Sequence, residues 1–151
     1  MNEITWSCKS FKDLSNKELY EIFRLRISVF VVEQNCPYQD ADGKDLKALH
    51  VMGKQSAALI AYARILPKNI SYEEVSIGRV VTAKEVRRTG AGKTLMEKSM
   101  EFIEKEFGKV SVRISAQSYL QKFYEGFGFK RVSDEYMEDD IPHVEMLFEP
   151  R

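Results

Sequence analysis

Hydrophobic positions change their period several times along the chain, and each change marks an element. Leu19, Ile22, Phe23, Ile27 and Phe30 recur every three or four residues, which puts them on one face of a helix. Ser15 precedes this run with Glu18 three residues on, the reciprocal capping box of a helix start. The pattern predicts a helix over 16–30 with one face buried. Before it, 5–9 reads as a short strand. After it, 35–47 is polar and broken by Pro37 and Gly43, so it reads as a loop. The apolar runs 49–53 and 57–66 flank Lys54-Gln55-Ser56 and predict an antiparallel hairpin, which Pro67 stops. The β-branched run 74–82 predicts a well-buried strand.

A second helix is expected over 90–107, with Leu95, Met96, Met100, Ile103 and Phe107 on one face and Gly108 as its C-cap. Over 109–115, Val110, Val112 and Ile114 alternate with Lys109, Ser111 and Arg113, as in a half-buried strand. A short helix over 118–125 ends at Gly126, and 129–132 and 143–148 read as the last two strands. The order is β-α-β-β-β-α-β-α-β-β, an α+β pattern of seven strands. A mixed sheet with helices on both faces buries such a set. Strand 74–82, helix 90–107 and strand 109–115 have the lengths of a parallel crossover.

Composition narrows the classes. The 151 residues hold no repeat or linker and read as one domain over 1–151. A formal net charge of +0 gives no electrostatic case for nucleic acid or for a polybasic membrane patch. The start, Met1 to Trp6, lacks a basic segment followed by an apolar run, and no apolar stretch reaches the ~20 residues that span a bilayer. These features predict a cytoplasmic protein with Cys8 and Cys36 as reduced thiols. The two histidines have no local ligand spacing, so no metal is expected.

The chemistry concentrates at Arg87-Arg88-Thr89-Gly90-Ala91-Gly92, between a buried strand and a helix. Glycines there let a backbone approach a ligand, and the first turn of the helix offers free N–H groups and a positive dipole end. Arg87, Arg88 and Lys93 add charge, so the turn suits a pyrophosphate. The dinucleotide fingerprint fails because Leu95 stands where its third glycine belongs, and a P-loop ending at Gly92-Lys93-Thr94 fails because residue 87 is Arg.

With this turn, the chain resembles the GNAT N-acetyltransferase superfamily. Arg87, Gly90 and Gly92 fill its Gln/Arg-x-x-Gly-x-Gly/Ala signature, and Phe123-Tyr124-Glu125-Gly126-Phe127 fills a second one a strand later. The segment from Val29 to Asp40, with Tyr62-Ala63-Arg64-Ile65, Ile77-Gly78-Arg79-Val80 and Ile141-Pro142-His143, is similar to the ElaA-like branch. The resemblance covers nearly the whole chain. It implies a mostly antiparallel sheet and an acetyl-CoA-dependent N-acetyltransferase that needs no metal. Its acceptor would be a small-molecule or peptide amine, attacking directly in a ternary complex.

Carried over by position, the resemblance implies backbone contacts to the pantetheine arm from Val80, Val81 and Thr82. It implies pyrophosphate contacts from the N–H groups of Arg88, Thr89, Gly90, Ala91, Gly92 and Lys93. Gln117 stands where many members carry Asn. Tyr124 matches the tyrosine that protonates the leaving thiolate, and a phenol is protonated at neutral pH. For the general base, Glu33 is preferred; Ser76 stands where some members carry a Glu, and Glu74, His50, His143 and relayed water are the alternatives.

Other signals are discounted. Asp40 to Asp45 invites a calcium reading, but Gly43 is fourth, not sixth, and Val51 stands where the closing Glu belongs. An acidic turn, or a rim for cationic acceptors, is expected instead. Nothing places Cys36 and His50 together as a nucleophile pair. Glu135, Glu138, Asp139 and Asp140 read as a solvated loop. The competing function is a non-catalytic acyl-CoA-binding module. The chain is expected to be a monomer or a homodimer, the latter through exposed late strands.

Overall fold

A computed structural model of the chain describes residues 3–151. The first strand, β1 (Ile4–Ser10), leads to α1 (Asn16–Arg26), and the capping box is formed. Glu18 N–H donates to Ser15 Oγ at 3.0 Å, and Ser15 N–H donates to Glu18 Oε1 at 2.9 Å. The helical pattern persists to Glu33, but Ile27–Glu33 is wound as a π-helix. Gln34 N–H reaches back to the Val29 carbonyl, and Cys36 N–H to that of Val31, both at 3.0 Å. Such widened turns displace side chains from the regular helical stripe and cluster at functional sites. Here the widened turn brings Val29, Phe30 and Glu33 to the wall of a cavity.

β2 (Leu49–Gln55) and β3 (Ala58–Leu66) form the expected hairpin. Its tight turn is Ser56–Ala57, with φ values of 50° and 69°, the primed geometry that two-residue hairpins require. Every residue of β3 from Ile60 to Leu66 is buried, as in a strand covered on both faces. β4 (Val75–Thr82), α2 (Ala91–Phe107) and β5 (Val112–Gln117) form the parallel crossover. β5 runs Val112–Gln117 rather than 109–115, and so takes in Gln117. α3 (Gln121–Glu125) is short and follows a 3-10 turn.

The chain then adds β6 (Phe129–Arg131), β7 (Tyr136–Glu138) and β8 (Ile141–Phe148). The described residues therefore hold eight strands, not seven. The extra one, β7, lies in the acidic stretch expected to be a solvated loop. Asp139 and Asp140, with φ of 51° and 62°, turn it directly onto β8. The sheet runs β1-β2-β3-β4-β5-β8-β6, with β7 also on β8. Only the β4–β5 junction is parallel. β8 is not an edge: β5 flanks it on one side, β6 and β7 on the other. Among the described residues no helix is long and apolar enough to cross a membrane. Cys8 and Cys36 are both free thiols.

Candidate active site

The site begins as a defect in the sheet. β4 and β5 pair at Val75↔Val112 and Ser76↔Arg113, and at no later residue. From Ile77 onward the two strands diverge, so the β4 backbone groups that point toward β5 have no strand to bond. On its other edge β4 pairs with β3, but Tyr62↔Val81 is followed by Arg64↔Gly78. Arg79 and Val80 thus face one residue, Ala63. This is a β-bulge, and Arg79 occupies its left-handed position at φ 52°. The bulge bends β4 just before Val80, Val81 and Thr82. These three residues line a cavity of about 700 Å³ that occupies the gap.

At the end of β4 the chain makes the basic turn. Arg88 (φ 65°) and Gly90 (φ 88°) are left-handed, and no side chain caps α2. A Cβ at Gly90 would meet nothing within 4 Å, so conformation and not crowding selects glycine there. Arg88, Thr89, Gly90 and Lys93 are exposed. Thr89 Oγ1 donates to the Val86 carbonyl, which pins the turn from within. Thr94 Oγ1 folds back on the Gly90 carbonyl at 3.2 Å, unlike a hydroxyl offered to a nucleotide-bound metal. The arrangement is an open helix N-terminus that suits an anion.

Arg87 faces the other way. Its Nη1 and Nη2 donate to Glu33 Oε2 and Oε1 at 2.6 and 2.9 Å, and the pair lines the cavity. The Arg87 guanidinium holds the Glu33 carboxyl below its usual range. A carboxyl held this way has little proton affinity at neutral pH, which weighs against the general-base role expected of Glu33. Glu74 fails likewise, because Arg113 grips both its oxygens at 2.9 and 3.0 Å and pulls its carboxyl down.

Tyr124 on α3 lines the same cavity. Its ring packs edge-on against Phe123 and Phe129, with centroids 5.1 and 6.2 Å away. Burial, with Tyr119 adding to it, pushes its phenol up to about 12. The group is therefore a proton donor at neutral pH. Gln117 is the last residue of β5, lines the cavity, and stands opposite His143 on β8.

The acidic loop meets arginines, not cations from outside. Arg26, 0% exposed, donates to Asp45 Oδ1 at 2.7 Å and to the Asp40 carbonyl at 2.9 Å. Its Nε lies 3.0 Å from Asp40 Oδ2, an ion contact without hydrogen-bond alignment. Arg64 Nη1 donates to Asp42 Oδ1 and Asp45 Oδ1 at 2.8 and 3.1 Å. Arg79 reaches Asp40 Oδ1 at 3.0 Å and Asp42 Oδ2 at 3.3 Å. All three carboxylates are consumed, which corrects the expectation of a rim for cationic acceptors. No group of three or more metal-ligating side chains occurs among the described residues. His50 is locked in the same core: Nε2 donates to the Asp45 carbonyl at 3.0 Å and Nδ1 accepts from Tyr62 Oη at 2.6 Å. Burial pushes its imidazole down, so it stays neutral. Cys36 Sγ instead reaches the Asp139 carbonyl at 3.6 Å, far from any pairing with His50.

Sequence reasoning missed the bulge at Arg79, β7, and the ion network. The visible signals were Gly78 inside a β-branched run and Arg26 inside a helical apolar stripe.

The family described as Acetyltransferase (GNAT) domain matches residues 14–150. Protein ElaA of Escherichia coli is 43% identical over 148 residues, covering 97% of each chain. The crystal structure of an acyl-CoA N-acyltransferase from Pseudomonas aeruginosa superposes with a TM-score of 0.92 at 42% identity, covering 97% of this chain and 99% of that one. A GNAT family acetyltransferase from Elizabethkingia anophelis, solved with acetyl-CoA bound, shares the fold at a TM-score of 0.70 and 13% identity, covering 99% of each chain.

Proposed function

Because the chain belongs to the GNAT acetyltransferase family, we propose that it transfers an acetyl group from acetyl-CoA to a primary amine, by direct attack in a ternary complex. The observation that carries this reading is the cavity between the splayed strands, which brings Thr82 and Arg87, at the anion-binding turn, together with Tyr124. The N–H groups from Arg88 to Lys93 would take the pyrophosphate on the open end of α2. The backbone of Val80, Val81 and Thr82 would hold the pantetheine arm along the unpaired edge of β4, and one of these N–H groups would meet the thioester carbonyl. A donor fixed there stabilises the oxyanion as it forms. Gln117 offers an amide at the end of β5. Tyr124 supplies the proton for the departing sulfur, because its buried phenol stays protonated.

The acceptor is a small molecule or a peptide amine. The test is thermal-shift binding of acetyl-CoA, followed by a panel of primary amines with free CoA measured. Stabilisation by acetyl-CoA and amine-dependent release of CoA are expected. Binding without release for every amine makes the protein a non-catalytic acyl-CoA-binding module. Tight ATP binding without CoA binding overturns the site itself.

A further inference from the structure

We propose that His143, braced by Glu138, is the general base that takes the proton from the acceptor amine. This rests on the acyl-transfer reading and assigns the step that Glu33, Glu74 and His50 do not perform. His143 is 7% exposed, yet it lines the cavity. Its Nδ1 lies 2.7 Å from the Ile141 carbonyl. A carbonyl only accepts, so Nδ1 carries a hydrogen and Nε2 is the nitrogen free to gain one. Nε2 sits 3.3 Å from Glu138 Oε2, an ion contact without hydrogen-bond alignment that leaves the Nε2 lone pair open. A carboxylate there stabilises the charge that a captured proton brings.

The dyad is itself held in place. Tyr136 stacks on the imidazole at 6.2 Å with an interplanar angle of 23°. Ser115 Oγ bonds the Tyr136 hydroxyl and reaches Glu138 Oε1 at 3.3 Å. The ring is oriented through Nδ1 by the Ile141 carbonyl, and Glu138 is held through Oε1 by Ser115. The charged or titratable groups facing the ring are Glu138 and Tyr136, both from β7, while β5 contributes the uncharged Gln117.

Strand alternation gives the dyad its side of the sheet. His143 pairs with Gln117, and Val144 with Ala116. Phe129 pairs with Phe148, and Phe148 with Val112, which share the Val144 face. Tyr124 packs on Phe129. The acid and the base therefore flank the gap from opposite faces. The ammonium form of the acceptor gives one proton to His143 Nε2, the freed amine nitrogen attacks the thioester carbon, and the adduct nitrogen sheds its second proton to solvent. The carbon–sulfur bond breaks with its electron pair on sulfur, which takes the Tyr124 hydroxyl proton. The imidazolium then returns its proton to solvent, and the phenolate regains one.

The experiment compares His143→Gln and Glu138→Gln with wild type, using the amine that releases most CoA in the panel. His143→Gln should lower kcat/KM for the amine by about 100-fold at pH 7, with acetyl-CoA affinity and melting temperature kept. The deficit should shrink as pH rises toward the amine's own pKa, where the neutral amine forms unaided. Glu138→Gln, at a half-exposed position, should cost about tenfold. A His143→Gln deficit equal at every pH overturns the proposal. So does full turnover in Glu138→Gln, which decides the matter if His143→Gln fails to fold. Wild-type protein that binds acetyl-CoA but acetylates no amine overturns the acyl-transfer reading instead, and this inference falls with it.

Discussion

Two arginine clusters border the cavity and treat charge in opposite ways. Arg26, Arg64 and Arg79 face Asp40, Asp42 and Asp45, so three cations meet three anions. The basic turn keeps only one matched cation, Arg87, held by Glu33, while Arg88 and Lys93 have no ion-pair partner among the described residues. Its backbone donors are open as well. The first cluster is satisfied within the chain and fixes the loop 38–45 against α1, β3 and the bulge in β4. The second leaves Arg88, Lys93 and the first N–H groups of α2 open to solvent. Burial separates them: a charge that water cannot reach must be matched internally, whereas an exposed one can be left for a partner.

Substitutions should therefore divide cleanly between stability and binding. The largest effect is expected from Asp45→Ala. It strips Arg26, 0% exposed, of its closest carboxylate and should cost about 3–5 kcal/mol in urea unfolding. Equal stability in that variant would erase the contrast. Tyr124→Phe should lower turnover by about 100-fold while leaving acetyl-CoA affinity within a factor of two. Gly90→Val forces a β-branched residue to φ 88° and should weaken acetyl-CoA binding by about tenfold, with a smaller loss of stability. Acidification titrates every ion-paired carboxylate, Glu18, Glu33 and Glu74 included, so the first cluster is read from the difference between wild type and Asp45→Ala. Burial opposes ionisation of Asp42, but the hydrogen bonds and charge of Arg64 hold its carboxyl to about 2, and Asp45 is lowered in the same way by Arg26. Carboxyls depressed in the folded state contribute fully above their unfolded value. That contribution should fade as pH falls from about 4 toward 2. Melting temperature against pH, compared between the two proteins, reads it. The smallest effect is expected from Glu33→Gln, which frees Arg87 for the phosphates and should tighten acetyl-CoA binding two- to threefold.

What the sequence made legible follows the same division. Exposed turns announce themselves by residue type: Gly90 and Gly92 after a β-branched strand, with Arg87 and Arg88 beside them, marked the open basic turn that precedes α2. The periodicity of Leu95, Met96 and Ile103 located α2, and Ser15 with Glu18 located the start of α1. The buried network was not legible, because its pairs span 14 to 39 residues and no local spacing encodes them. Asp40, Asp42 and Asp45 read as an ordinary acidic loop until Arg26, Arg64 and Arg79 close over them. β7 was hidden for a different reason. It is three residues long and sits among carboxylates, so too little apolar pattern exists to mark a strand. The ion pair of Glu33 was not legible either, because its partner, Arg87, lies 54 residues away. The π-helix after α1 keeps the hydrophobic spacing of an α-helix closely enough that only the backbone bonds distinguish it.

The two residue pairs that join β4 to β5 bear on how the chain comes together. Strands β2 to β4 are sequential antiparallel neighbours joined by short connections, so they can zip up locally, and β1 adds to them across α1. β5, β8, β6 and β7 form a second block that must dock after α2 has crossed over. A seam this narrow favours two cooperative folding units, with amide exchange slowest inside each block and fastest along the seam. The gap between β4 and β5 is then also the line along which the native state breathes.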